Sequence, residues 1–146
     1  MRILGLDYGA RTIGVAVCDP LGLTAQPVET IFRRDENKLR RSLARLEELC
    51  REYEVEKLVV GLPLNMDGSE GERAKAARAF GEKLSLRTGL PVVYEDERLT
   101  TVEAEEILKE GRIVKEEWKK VIDQMAASLI LRSYLERMNE FGKNTI

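Results

Sequence analysis

The stretch Ile3-Leu4-Gly5-Leu6-Asp7-Tyr8-Gly9-Ala10-Arg11-Thr12-Ile13-Gly14-Val15-Ala16-Val17 restricts the fold more than any other part of the chain. Ile3, Leu4 and Leu6 suit a buried strand, and Val15 and Val17 suit its partner, with Gly9 at the reversal between them. Asp7 interrupts the apolar run where the first strand should emerge. A carboxylate there is costly unless something cationic meets it. Two readings stand side by side: Asp7 caps the turn through its own backbone, or it is one of several acids gathered around a divalent metal.

The rest of the chain continues this α/β pattern. Residues 2–8 and 11–19 read as a hairpin, and 23–31 as a third antiparallel strand that Pro27 pushes to an edge or a bulge. Leu39, Leu43, Leu46, Cys50 and Tyr53 recur at helical spacing and predict a helix over about 36–53. Lys57 to Leu62 is a short, wholly apolar strand reached across that helix, so it reads as parallel and central. Ser69 and Glu72 have capping-box spacing for a second helix running to about Thr88, closed by Gly89 and Pro91. Residues 91–95 form a fifth strand leading into Asp96-Glu97-Arg98. Thr100 and Glu103 open a short helix that stops at Gly111, and a last helix follows over about 118–139. In that helix Asp123 sits among apolar neighbours. The small residues Ala126 and Ala127 would let it lie close to the sheet, near Gly5 and so near Asp7.

At 146 residues the chain is the size of one domain, and residues 1–146 are expected to form a single one. The net charge of −2 gives no global basic field, so any nucleic-acid contact must come from a local patch. The sequence contains no histidine, which removes Ser-His-Asp and Cys-His catalysis and His-based metal sites. Carboxylate chemistry remains for hydrolysis, and oxygen-only ligands point to Mg²⁺ or Mn²⁺. Cys18 and Cys50 fall in no metal or redox spacing and read as reduced thiols of a cytoplasmic protein. No signal peptide and no run of membrane-spanning length is apparent, so no membrane partner is expected.

Four blocks carry a resemblance: Gly5-Leu6-Asp7-Tyr8-Gly9 with Arg11 and Gly14-Val15-Ala16, Val60-Gly61-Leu62-Pro63-Leu64-Asn65-Met66-Asp67-Gly68, Asp96 to Ala104, and Asp123 to Leu131. Together and in this order they resemble the YqgF family, also called RuvX, of bacterial RNase H-like proteins, over nearly the whole chain. The resemblance implies an RNase H-like fold: a five-stranded mixed sheet, three antiparallel strands then two parallel, with helices on both faces. It implies a nuclease, described in the family both as a Holliday junction resolvase and as an enzyme maturing the 5′ end of 16S rRNA, the second description being preferred. Asp7 matches the first-strand acid of the superfamily and Asp123 the acid of the last helix. The middle acid is expected at Glu97, with Asp96 as second choice. Asp67 is a third, although an Asp-Gly pair in a loop is more often a turn.

The expected catalytic and metal-binding set is therefore Asp7, Glu97 and Asp123 with Mg²⁺ or Mn²⁺. Arg11, Asn65, Arg73 and Arg98 are expected on nucleic-acid phosphates. The expected partners are pre-rRNA ahead of branched DNA and the ribosomal small subunit, with the chain a monomer or weak homodimer. Two other classes compete. Sugar kinases and actin-like ATPases share an Asp-x-Gly turn but need two such domains, which this chain is too short to hold. A binding module with a decayed site would not need three acids.

Overall fold

The computed structural model describes residues 2–97 and 115–144, with the side chains of the last helix described over 121–139. Five strands form one sheet: β1 (Arg2–Tyr8), β2 (Thr12–Cys18), β3 (Ala25–Phe32), β4 (Val55–Leu62) and β5 (Val92–Asp96), in the order β3-β2-β1-β4-β5. Strands β1, β2 and β3 are antiparallel neighbours, while β4 and β5 run parallel to β1. Helix α1 (Arg40–Glu52) links β3 to β4, α2 (Glu72–Thr88) links β4 to β5, and α3 (Lys115–Asn144) closes the described chain. This is the expected mixed sheet, with α1 and α2 on one face and α3 on the other.

Alternation along the strands assigns the two faces. Leu4, Leu6, Tyr8, Ile13, Val15, Leu58 and Val60 pack against Leu43, Leu46, Ala77, Phe80 and Leu84 of α1 and α2. Ile3, Ala16, Cys18 and Val59 point the other way, against Ala127, Ile130, Leu131 and Tyr134 of α3. Strand β4 is buried on both faces, as its unbroken apolar run requires, with Leu58, Val59 and Val60 fully inaccessible. Pro27 lies on the edge strand β3, beside a register shift between Val15 and Ala16, so both readings of that proline hold.

Local chemistry moves three boundaries. Helix α1 begins at Arg40 and not near residue 36, because Lys38 N–H bonds the Asp35 carbonyl at 3.1 Å in a turn that precedes it. Ser69 does not cap α2. Its hydroxyl donates to Asp67 Oδ1 at 2.6 Å and accepts from Asn65 Nδ2 at 3.0 Å, and Gly71 takes the cap position with no side-chain bond. Helix α3 is longer at both ends than the apolar pattern predicts. Gly89 closes α2 with φ of 75°, in the left-handed region that glycine adopts without strain. The capping box at Thr100 and the short helix ending at Gly111 lie outside the described residues.

Candidate active site

Asp7 is the penultimate residue of β1, and alternation from Ile3 and Gly5 turns it towards α3. Its register partner on β2 is Gly14. A Cβ placed on Gly14 would run into the backbone carbonyl of Asp123. Helix α3 therefore lies directly on the β2 backbone at that point, and this close approach delivers Asp123 to the row that holds Asp7. Gly5, the glycine singled out from sequence, seats Leu131 and Ala127 further along the helix.

The middle acid reaches the same place by pleat parity. Glu95 faces α3, where Arg137 Nη2 donates to its Oε2 at 3.0 Å. Glu97, two residues on, keeps that face, and its N–H bonds the Leu62 carbonyl at 3.2 Å, extending the ladder just past β5. The Glu97 carboxylate lies above Gly61, where any Cβ would collide with its Oε2. Asp96 points the other way and is exposed, so Glu97, and not Asp96, meets Asp7.

Burial and mutual repulsion dominate the electrostatics. Burial, opposed by a hydrogen bond from Glu97 and helped by the charge of Asp123, brings the Asp7 carboxyl from its ordinary 3.8 up to about 6. Glu97, with 9% of its surface exposed, is driven from 4.5 to about 9 by burial first and by the Asp7 charge second. Both carboxyls are thus raised, and the pair holds one proton between them near neutrality. Among the described residues no three Asp, Glu or Cys side chains stand ready-arranged around a metal ion. The donor set, all carboxylate oxygen, is one that suits Mg²⁺ or Mn²⁺ once that proton leaves.

Other expected site residues are placed as follows. Arg11 is exposed in the turn between β1 and β2, where its carbonyl accepts the Arg33 N–H at 2.9 Å. Asn65 and Asp67 belong to the exposed loop after β4, with Asp67 Oδ1 accepting the Ser69 N–H at 2.9 Å, so Asp67 is a turn residue. Arg73 is committed to Glu36 at 2.7 Å and lies 5.7 Å from the Tyr8 ring centroid. Arg98 and the side chains of Lys115, Trp118, Lys119 and Lys120 lie outside the described residues. One residue escaped the sequence reading altogether. Arg33 donates through Nη2 to the Gly9 carbonyl at 2.7 Å and covers the Tyr8 ring at 4.8 Å, locking the turn that follows Asp7. Its position at the end of a strand next to a second arginine was the available signal.

The chain matches the RuvX family, described as Holliday junction resolvase, over residues 1–137. It belongs to that family. A relative from Lachnospira eligens named "Putative pre-16S rRNA nuclease" is 59% identical over 136 residues, covering 93% of this chain and 97% of its own. A relative of the same name from Moorella thermoacetica is 54% identical over 142 residues, covering 97% and 99%. Among solved structures, Thermus thermophilus RuvC bound to a Holliday junction substrate superposes with a TM-score of 0.59 at 17% identity, over 94% of this chain and 96% of that one. That likeness shows a shared fold, and the RuvX sheet order agrees with the RNase H-like architecture the sequence implied.

Proposed function

We propose that this chain is a metal-dependent nuclease that processes the 5′ end of pre-16S rRNA. As a member of the RuvX family with relatives named as nucleases, it is a hydrolase of phosphodiester bonds. The observation that carries the metal-dependent reading is the pairing of the half-buried Asp7 with the buried Glu97 beside Asp123, over the bare sheet surface of Gly14 and Gly61. A fold has no structural need for that arrangement, and it loses stability whenever both acids are charged.

Asp7, Glu97 and Asp123 would hold Mg²⁺ or Mn²⁺, which when bound supplies Lewis acidity to the attacking water and to the departing oxygen. Asp7, at the centre of the sheet, would be the central ligand of that set. The buried Glu97 carboxyl would have to be ionised to serve as a ligand, so filling of the site should depend on pH. Gly14 and Gly61 keep the sheet surface bare beneath the acids, so their spacing is set by backbone. Arg33 fixes the turn after Asp7, and Arg11 beside it is free to meet a substrate phosphate. The expected setting is the cytoplasm, with the ribosomal small subunit as a partner. No helix among the described residues is long and apolar enough to cross a membrane.

The family's description favours a second reading, resolution of four-way DNA junctions. That reaction needs paired symmetric cuts and hence a symmetric dimer. The test presents a pre-16S 5′ segment and a four-way junction side by side, with Mg²⁺ or Mn²⁺ and an Asp7→Asn control. Cleavage of the RNA that the variant loses is the expected result. Paired nicks in the junction without RNA cleavage would replace the rRNA reading by the resolvase.

A further inference from the structure

Beyond the acids, the strongest departure from the chain's overall charge lies between β3 and α1. Residues 33–42 hold Arg33, Arg34, Lys38, Arg40 and Arg41 against Asp35 and Glu36, in a chain whose net charge is −2. The two acids are already engaged, Glu36 by Arg73 at 2.7 Å and Asp35 by Lys38 at 3.9 Å. Arg34, Arg40 and Arg41 have no ion-pair partner among the described residues. They line a cleft of about 680 Å³ whose floor includes Ile31 and Phe32. A second depression of about 490 Å³, bounded by Arg11, Phe32, Arg33 and Arg34, continues it towards the β1–β2 turn.

Helix stability does not explain this arrangement. Helix α1 has no side-chain cap and no acid in its first turn, and Arg40 and Arg41 stand there instead. Cations at a helix N-terminus oppose the macrodipole, so the placement weakens the helix while intensifying a positive field over the cleft. Phe32, 53% exposed, is an aromatic residue that lines both depressions. By register Phe32 pairs with Thr12, and Thr12 shares its face with Gly14, the partner of Asp7. Strand spacing then puts Phe32 roughly 12 Å from Asp7, and parity gives its side chain the Asp7 side of the sheet. Arg40 and Arg41 open the helix on the other face, so the cleft wraps the edge formed by β3.

We propose that this cleft is a subsite for an unpaired stretch of RNA, with phosphates on Arg34, Arg40 and Arg41 and a base stacked on Phe32. Cations tracking a backbone beside an exposed aromatic are the elements of single-strand recognition. The exposed Phe32 ring offers a stacking face that an unpaired base can reach and a base held in a duplex stack cannot. That the strand is RNA rests on the nuclease reading above; the preference for an unpaired strand rests on the cleft itself.

The test is equilibrium binding of the full chain to a fluorescein-labelled single-stranded RNA of about 20 nucleotides, in EDTA so that nothing is cut. A hairpin duplex of equal length is the comparison. We expect tighter binding to the single strand. Replacing Arg34, Arg40 and Arg41 together by Gln should weaken it at least tenfold and flatten the log–log salt slope by about 2. Phe32→Ala should weaken binding about fivefold or more, with the salt slope unchanged. The triple variant should melt no lower than the parent, since it removes cations from the α1 N-terminus. Should it unfold, Arg34→Gln alone, outside the helix, is expected to weaken binding and flatten the slope by about 0.7. Parental affinity and slope in the folded variant, or equal binding of duplex and single strand, would overturn the proposal. Cleavage is read separately. A protein that binds through the cleft but cuts no RNA ends the nuclease reading alone. One that cuts precursor while the folded variant binds as the parent does ends the cleft alone.

Discussion

Asp7 and Glu97 make folding take up protons. Unfolded, the two acids titrate near 3.8 and 4.5; folded, near about 6 and about 9. Both values are raised, so their contribution to stability is full below the unfolded values and declines as pH climbs to about 9. The metal-free protein should therefore melt higher at pH 5 than at pH 9. Glu97→Gln, which removes the larger shift, should flatten that slope, and the difference between the two melting profiles isolates this group from the rest of the titration. On the proposed metal role the ion would displace the pair's proton, so the rise in Tm on adding Mg²⁺ should be larger at pH 8 than at pH 5. At free Mg²⁺ near a hundred times Kd the added stability should be about 2.7 kcal/mol. For activity, Asp7→Asn should exceed the roughly 10–100-fold loss typical of groups that merely support a metal ligand, in the cleavage assay described above.

At the scale of elements, the site depends on how α3 is seated. Gly14 has no left-handed backbone angle, so its requirement is purely one of space. Gly14→Ala sets a methyl group against the backbone of Asp123, which cannot rotate aside as a side chain would. We expect it to cost about 1–3 kcal/mol in denaturant unfolding and to suppress cleavage by more than that stability loss explains. In contrast, Gly22→Ala meets no atom within 4 Å and acts only through its φ of 70°. It should cost about 1 kcal/mol and leave cleavage unaltered. These two glycines also mark what could be read in advance. The strands and helices were legible because their apolar periods are local, and so was Pro27, whose missing N–H limits its position wherever it falls. The seat on Gly14 was not, because it is defined by a helix more than 100 positions away in the chain. Ser69 was misread as a cap because Asp67, two residues earlier, competes for its hydroxyl. The choice between Asp96 and Glu97 needed the parity of β5, which follows only once Glu95 is known to face α3.

The whole molecule is a sheet with unequal coverings. Among the described residues two helices cover one face, and one helix covers the other. A chain ended after residue 114 would keep five strands and the larger core but expose Ile3, Ala16 and Val59 on the bared face. It should bind a hydrophobic dye strongly and lose cooperative melting while retaining much of its far-ultraviolet dichroism. Asp7 and Asp123 stand 116 positions apart, and the sheet between them is complete before the second acid has been translated. On the function proposed above, the site is therefore the last feature the chain completes during synthesis. A nascent chain whose last helix has not yet docked carries the whole sheet and Asp7 but not the acid that α3 brings to it.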